Sequence, residues 1–514
     1  MLKKTFAICL LPLALAACTI TPERVSVEQL GVFASDKLKR VTANQEPVRG
    51  PIDLYEAMAR ALKYNLDTKV EIKERALRIK NLDLASYKLL PDFVSNSGYA
   101  GRSNYTGGHS VPFNGGSSLF QNSGDLQNVP NVVDSTSQER NIFSQDITLT
   151  WNVLDFGLSY VRAKQTADEI LIAEQIKRKV VNSSIEAVRS AYWRAVSSQR
   201  LLTKLRFLEN RVRKALRETR TLYKLRKTSP ITALTFEREL VGIKREVQKL
   251  EGNLKNARFQ LAALMNIPPG QKYRLVQPRR RLNDLRLKIP VRSMVSVAMR
   301  NRPEVLELLY KSRINQEETT AALLELLPGI QLYAGANFDS NDFLFNNNWL
   351  SWGSKASWNL IRLFQYPARK SVIEGKGDLL DARALSLTMA IMLEVHVSRA
   401  RYLHARREYR TAAEYYGVQR RLLQQIRAEA KVNRVSEQTL LREEMNSLVA
   451  EVKRDIAYAD VQNAYANVFA SVGLDPHPAG FNENASVKSL AASLKRVWLE
   501  RGDYKTGTLL ARRK

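Results

Sequence analysis

Gln145-Asp146-Ile147-Thr148-Leu149-Thr150-Trp151-Asn152-Val153-Leu154-Asp155-Phe156-Gly157 decides how this chain is built. Ile147, Leu149, Trp151 and Val153 alternate with Asp146, Thr148, Thr150 and Asn152. That period of two is a strand with one apolar and one polar face. From Ser159 to Lys227 neither proline nor glycine interrupts a helical pattern. Ile185, Val188, Tyr192 and Ala195 carry its apolar stripe, and Leu201, Leu205, Leu208, Val212 and Leu216 continue it. A helix of that length reaches roughly 100 Å, and so long a rod must pack along its flank.

The motif comes twice. Trp151-Asn152 returns as Trp358-Asn359, 207 positions later, and Asn266-Ile267-Pro268 returns loosely as Gly473-Leu474-Asp475-Pro476 at the same offset. Leu90-Pro91 returns as Leu327-Pro328 at an offset of 237, because the first copy carries the longer loop. Such self-similarity marks a duplicated unit. The expected division is a first repeat over 51–290 and a second over 291–475. The first has strands near 92–102 and 143–153, a long helix over 159–227 and a return helix over 231–266. The second has strands near 329–339 and 349–360, a long helix over 368–431 and a return helix over 436–472. A single helix is expected from Asp53 to Leu90, opened by Asp53 and Glu56 in capping-box spacing. Stacked end to end, the short helices match one long helix in length. Thr228-Ser229-Pro230 and Asn433-Arg434-Val435-Ser436 then fall at the end far from the strands, and 271–290 and the chain after Leu474 fall at mid-height. The glycine-bearing stretch 102–140 reads as an irregular loop.

Four strands per chain cannot close a barrel, and an open sheet edge cannot sit in lipid. Spanning a membrane therefore requires several chains to share one barrel. The same alternation also fits two soluble hairpins packed on the helices. Leu149, Trp151, Trp352 and Trp358 are the candidate membrane-facing residues, since tryptophan suits a lipid-facing girdle as well as a core.

Net charge is +29, from 80 Lys and Arg against 51 Asp and Glu, which suggests an anionic neighbour. The excess sits on the outgoing helices: 16 basic residues lie between Lys177 and Lys227 against Glu186, Glu209 and Glu218. Between Ser436 and Asp460 the balance reverses, with three basic and six acidic residues. A solvated face partly neutralised by the return helix is one account, and a basic inner wall or tip is the other. Nucleic acid is not expected: no binding module is present, and the charge runs along rods without an aromatic stacking platform. Enzyme chemistry finds no footing either. There are four histidines, His109, His396, His404 and His477, and none stands in a metal-binding or catalytic motif. No catalytic residue, metal or cofactor is assigned.

At the N-terminus Lys3 and Lys4 precede an apolar run from Phe6 to Leu15, too short to span a bilayer and suited to a signal peptide over 1–17. Leu15-Ala16-Ala17-Cys18 looks like a bacterial lipobox, making Cys18 the lipidated first residue of the mature chain. With Cys9 removed, no internal disulfide is expected. Residues 18–50 read as an extended leader, and 476–514 as a mid-height segment with a basic tail.

These features together resemble the TolC-type outer-membrane factors, the outer-membrane efflux protein family, in its lipoprotein branch. The resemblance runs from about Ile52 to Val472 and rests on the twofold repeat and on Leu90-Pro91 and Leu327-Pro328 entering strands. It rests further on Trp151 to Gly157 leaving a strand for a helix and on Asn301-Arg302-Pro303-Glu304. Trp358-Asn359-Leu360-Ile361-Arg362-Leu363-Phe364 lacks the closing glycine. The resemblance implies a mainly α chain with a small β part. It implies a homotrimer in which twelve strands form one transmembrane barrel, continued into the periplasm by a long α-helical coiled-coil barrel. It further implies a passive duct for efflux or secretion, with a periplasmic adaptor (membrane fusion) protein, an inner-membrane transporter and outer-membrane lipid as partners. Family members often narrow the tip with acidic residues. Here the candidate aperture carries Lys227, Thr228, Ser229, Arg427, Glu429, Lys431, Asn433 and Arg434, so an anion-tolerant tip is expected instead.

Overall fold

The computed structural model describes residues 24–110, 133–226, 229–268, 270–277, 287, 289–432, 434–477 and 485–501. The signal segment, Cys18 and the basic tail beyond 501 lie outside them.

The first repeat contains helices α2 (Leu54–Tyr64) and α3 (Leu66–Tyr87), preceded by α1 (Val27–Arg40). Strands β1 (Asp92–Gly101), β2 (Thr106–Ser110), β3 (Val133–Gln138) and β4 (Asn141–Asn152) follow, then the long helix α4 (Val153–Lys224) and the return helix α5 (Pro230–Leu264). The second repeat has α6 (Val291–Asn301), α7 (Pro303–Leu324), β5 (Gly329–Asp339), β6 (Asn348–Ser357), the long helix α8 (Ile361–Lys431) and the return helix α9 (Glu437–Ser471). Helix α10 (Val487–Arg501) closes the described chain.

Several expectations are corrected. The leader is not extended throughout: α1 forms 14 residues of it, and both hydrogen bonds of a capping box between Ser26 and Gln29 start that helix. The stretch expected as one helix over 53–90 is two. Asn65 breaks it with extended dihedrals (φ −59°, ψ 131°), and its side chain then caps α3 by accepting from Thr68 N. Arg302, 237 residues on, breaks the second copy with nearly the same dihedrals (φ −66°, ψ 134°). There the cause is Pro303, which restricts the residue before it and opens a helix well itself. Asp53 caps α2, but Glu56 turns to Arg60 rather than completing the box. The loop expected over 102–140 holds a ladder: β2 pairs antiparallel with β3.

The long helices begin earlier than expected. Asn152 ends β4 and caps α4 in one step, its side chain accepting from Leu154 N and Asp155 N. In the second copy Asn359 accepts from Ile361 N, so α8 starts before Pro367 and carries that proline inside it, without the bond its ring cannot donate.

β1, β4, β5 and β6 form one antiparallel sheet in that order. Both long helices leave its β4 and β6 ends. Helix α4 is flanked by α3 and α7 near the sheet and by α5 and α9 farther out. The largest core cluster lies where α2, α6 and α10 wrap the middle of the rods, and a slimmer one follows α4, α5 and α9 outward. Tyr192, buried at mid-length on α4, donates to the carbonyls of Val276 and Ile52, which places the chain after Gln271 beside the middle of the rod.

Candidate functional site

The sheet's two faces differ by chemistry. Register places Phe93, Leu149, Ala334 and Trp352 side by side, and likewise Trp151 beside Leu332 and Ile147 beside Ala336 and Leu350. This face is apolar and exposed: Leu149 at 42%, Trp151 at 40% and Trp352 at 77%. The opposite face carries Asn96, Asp146, Thr148, Asn337, Ser351 and Lys355, linked by Asn96 to Asp146, Thr148 to Asp146 and Asn337 to Ser351. Gly353 sits on it beneath Tyr333, where a Cβ would lie 2.6 Å from the phenol oxygen, so no larger residue fits without moving that ring. Trp358 was expected within a strand but lies one residue past β6, exposed, and donates its indole N–H to Leu326 O at 2.9 Å. Edge strands β1 and β6 each have one side without a partner strand among the described residues.

At the other end ion pairs join the two repeats near their turns. Arg211 of α4 reaches Glu437 at 3.6 Å, and Arg442 of α9 reaches Glu239 of α5 at 3.8 Å. Of the expected aperture residues, Lys227, Thr228 and Asn433 lie outside the described residues. Ser229 opens α5 without a side-chain cap, and Lys431 ends α8; both are exposed. Arg434 is exposed and donates its backbone N–H to Glu429 O. Arg427 is not free: its guanidinium meets Glu444 at 3.0 Å.

The basic excess of the outgoing helices is divided. On α4, Arg200 pairs with Asp455, Lys204 with Glu451, Arg211 with Glu444, Arg206 with Glu251 and Arg220 with Glu237. The return helices therefore neutralise much of α4. On α8, Arg401, Arg407, Arg410, Arg420 and Arg421 are exposed and make no ion pair among the described residues.

Some structural residues carried no sequence signal. Arg189 is fully buried under the Trp498 ring at 3.6 Å, and burial pulls its pKa down to about 10, so it stays charged at neutral pH. Arg178 grips Asp475 at 2.7 Å and Gly473 O, locking the end of α9 to α4. Nearer the sheet, Arg162 and Arg369 both reach Glu318. The Arg162 bond, against the cost of burial, holds the Glu318 carboxyl at about 2. Among the described residues no group of His, Cys, Asp and Glu could hold a metal, and no helix is long and apolar enough to cross a membrane.

No protein-family model and no curated protein matches the sequence. Solved structures do match. The Campylobacter jejuni CmeC outer-membrane channel superposes with TM-score 0.62 at 14% identity, over 93% of this chain and 97% of that one. The outer-membrane channel OprN gives 0.60 at 15%, over 89% and 99%. CusC, a transmembrane-channel protein, gives 0.59 at 17%, over 84% and 96%. The fold is that of the TolC-type outer-membrane channels. In this chain that fold brings together an exposed apolar sheet face, two sheet edges without a partner strand among the described residues, and the long rods.

Proposed function

We propose that three copies pool their sheets into one twelve-stranded barrel in the outer membrane and their rods into a helical tunnel below it. The duct passively carries solutes from an inner-membrane transporter, reached through a periplasmic adaptor. The observation that carries this reading is the four-stranded sheet: apolar on one face, mostly polar on the other and, among the described residues, without a partner strand at either edge. Unpaired backbone groups are not tolerated in lipid, and pairing β6 of one copy with β1 of the next satisfies them. Lateral helix order supports the same join, since α8 flanks α9 and α7 on one side only. Leu149, Trp151 and Trp352 then face lipid, with Trp358 at the interface, and the Asp146 and Lys355 face lines the lumen. The polar face, not a catalytic cluster, is the working surface, and the chain acts without enzyme chemistry. Cys18 would carry the lipid that anchors each copy. Ser229, Glu429, Lys431 and Arg434, with Lys227, Thr228 and Asn433, would ring the periplasmic aperture.

The test is the full-length protein purified from outer membranes. A heat-modifiable trimer that conducts in planar bilayers is expected. A monomer, or a trimer without conductance in any condition, overturns the reading and leaves a pore-less scaffold.

A further inference from the structure

Helix α1 stands as an amphipathic helix that buries none of its residues. Val27, Leu30, Phe33, Leu38 and Val41 fall along one side and are exposed, from 36% at Val41 to 88% at Val27. Helices of this length are marginal in water without a surface to pack on. The chain just after it is fixed: Asn266 donates to Val41 O at 2.7 Å, and Gln45 donates to Asn266 O at 2.7 Å. Glu46 binds Lys63 and the backbone of Val487.

The repeat locates what lies beyond that tether in a trimer. Within one copy α4 meets α9 with Arg189 beside Gln462 and Arg200 beside Asp455. Shifted by the repeat offset, α8 of one copy meets α5 of the next with His396 beside Lys255 and Arg407 beside Gln248. Asn266, two residues past the end of α5, then falls opposite Leu385. Here α8 shows an apolar patch that the described residues of its own copy leave exposed: Leu385 at 67%, Met389 at 66%, Met392 at 39% and Leu393 at 63%. The same height is where α5 ends and α3 begins in the neighbour, so neither helix spans the patch.

We propose that α1 lays its apolar stripe on this patch of the adjacent copy, as a strap across each seam at mid-height. The occupant is a second copy of this chain, and the inference rests on the trimeric reading above. The tether is at the seam, and the patch and the stripe are both apolar and both unpartnered.

The experiment uses the full chain in outer membranes. Leu38→Cys is combined with Leu385→Cys or with Met389→Cys, and oxidation is followed by non-reducing electrophoresis, with trimer formation scored separately before oxidation. Covalent joining of chains in at least one pair is expected. An intrachain bond, or no bond in either pair although trimers form, overturns the strap; absence of trimers overturns the trimeric reading itself. As a second readout, Phe33→Glu should lower the temperature at which the trimer dissociates, whereas Val32→Glu, on the opposite side of α1, should not. Equal effects would also overturn the strap.

Discussion

The two long helices descend from one repeated sequence, 72 and 71 residues long, yet they are buried very differently. Helix α4 buries 23 of its residues and α8 eight. Position by position, Leu201, Leu205, Leu208 and Val212 of α4 correspond to Glu408, Ala412, Tyr415 and Gln419 of α8. The first four are buried, whereas Glu408 and Tyr415 are exposed, Ala412 is half-buried and Gln419 alone is buried. One copy of the repeat became the middle of the wall, covered on both flanks, and the other became its border. The sheet shows the same asymmetry, since β4 lies inside it and β6 at its edge. A border with exposed Leu385, Met389, Leu393 and Leu422 on a rod this long is a surface awaiting a partner.

The sharpest way to break this comparison is to truncate one leucine on each rod. Leu205→Ala should cost about 2–5 kcal/mol in the unfolding of the detergent-dissociated chain, since it opens a cavity among α4, α5 and α9. Leu422→Ala, 44% exposed on α8, should change that same unfolding by under about 0.5 kcal/mol. Comparable losses for both would show that α8 is no border. In the sheet, Trp352→Arg places a charge on the apolar face and should cost roughly 2–4 kcal/mol of barrel stability if that face meets lipid. Lys355 lies three residues away on the polar face, and Lys355→Ala should leave assembly intact. Trimer yield from membranes checks both, and tolerance of Trp352→Arg would remove lipid from that face.

Acid should loosen the wall at Glu318, which joins α4, α7 and α8 through Arg162 and Arg369. Its carboxyl is held at about 2, below the ordinary 4.5. A depressed carboxylate stabilises the fold fully above its unfolded pKa and loses that contribution as pH falls through the folded one. The melting temperature should therefore decline between about pH 4.5 and about pH 2, and Glu318→Gln should flatten that part of the slope. An identical slope in the variant would assign the acid sensitivity elsewhere.

Much of this wall was legible in the sequence because it rests on periodicity. Leu90-Pro91 and Leu327-Pro328 mark where helices give way to β1 and β5, and a two-residue alternation follows the second pair. Helix ends were not, because they turn on single side-chain caps. Asn152 and Asn359 start helices while still reading as strand residues, and Asn65 breaks a helix no proline interrupts. The leader helix α1 was hidden by its own composition: none of its residues is buried by the described chain, and no continuous apolar run marks it. The mid-height lock of Arg178 on Asp475 joins residues 297 apart, a contact no local pattern can show. At the aperture, residue types were readable but commitments were not, since only the structure pairs Arg427 with Glu444.

That pairing sharpens the smallest effect, at the tip. With Arg427 engaged, the other exposed charged residues at and just past the end of α8 are Glu429, Lys431 and Arg434, an excess of one positive charge. The first turn adds Lys224 and Arg226, also exposed. Three copies around a narrow ring would concentrate this field, and a positively lined constriction raises the local anion concentration. Reversal potentials across a salt gradient in planar bilayers should then show a modest anion preference. Arg434→Ala should weaken that preference without abolishing conductance, and higher salt should weaken it too, because exposed charges are screened within about 10 Å at 0.1 M. A clear cation preference that Arg434→Ala leaves unchanged would move the selective ring away from this turn, to the polar face of the sheet, where Asp146 stands.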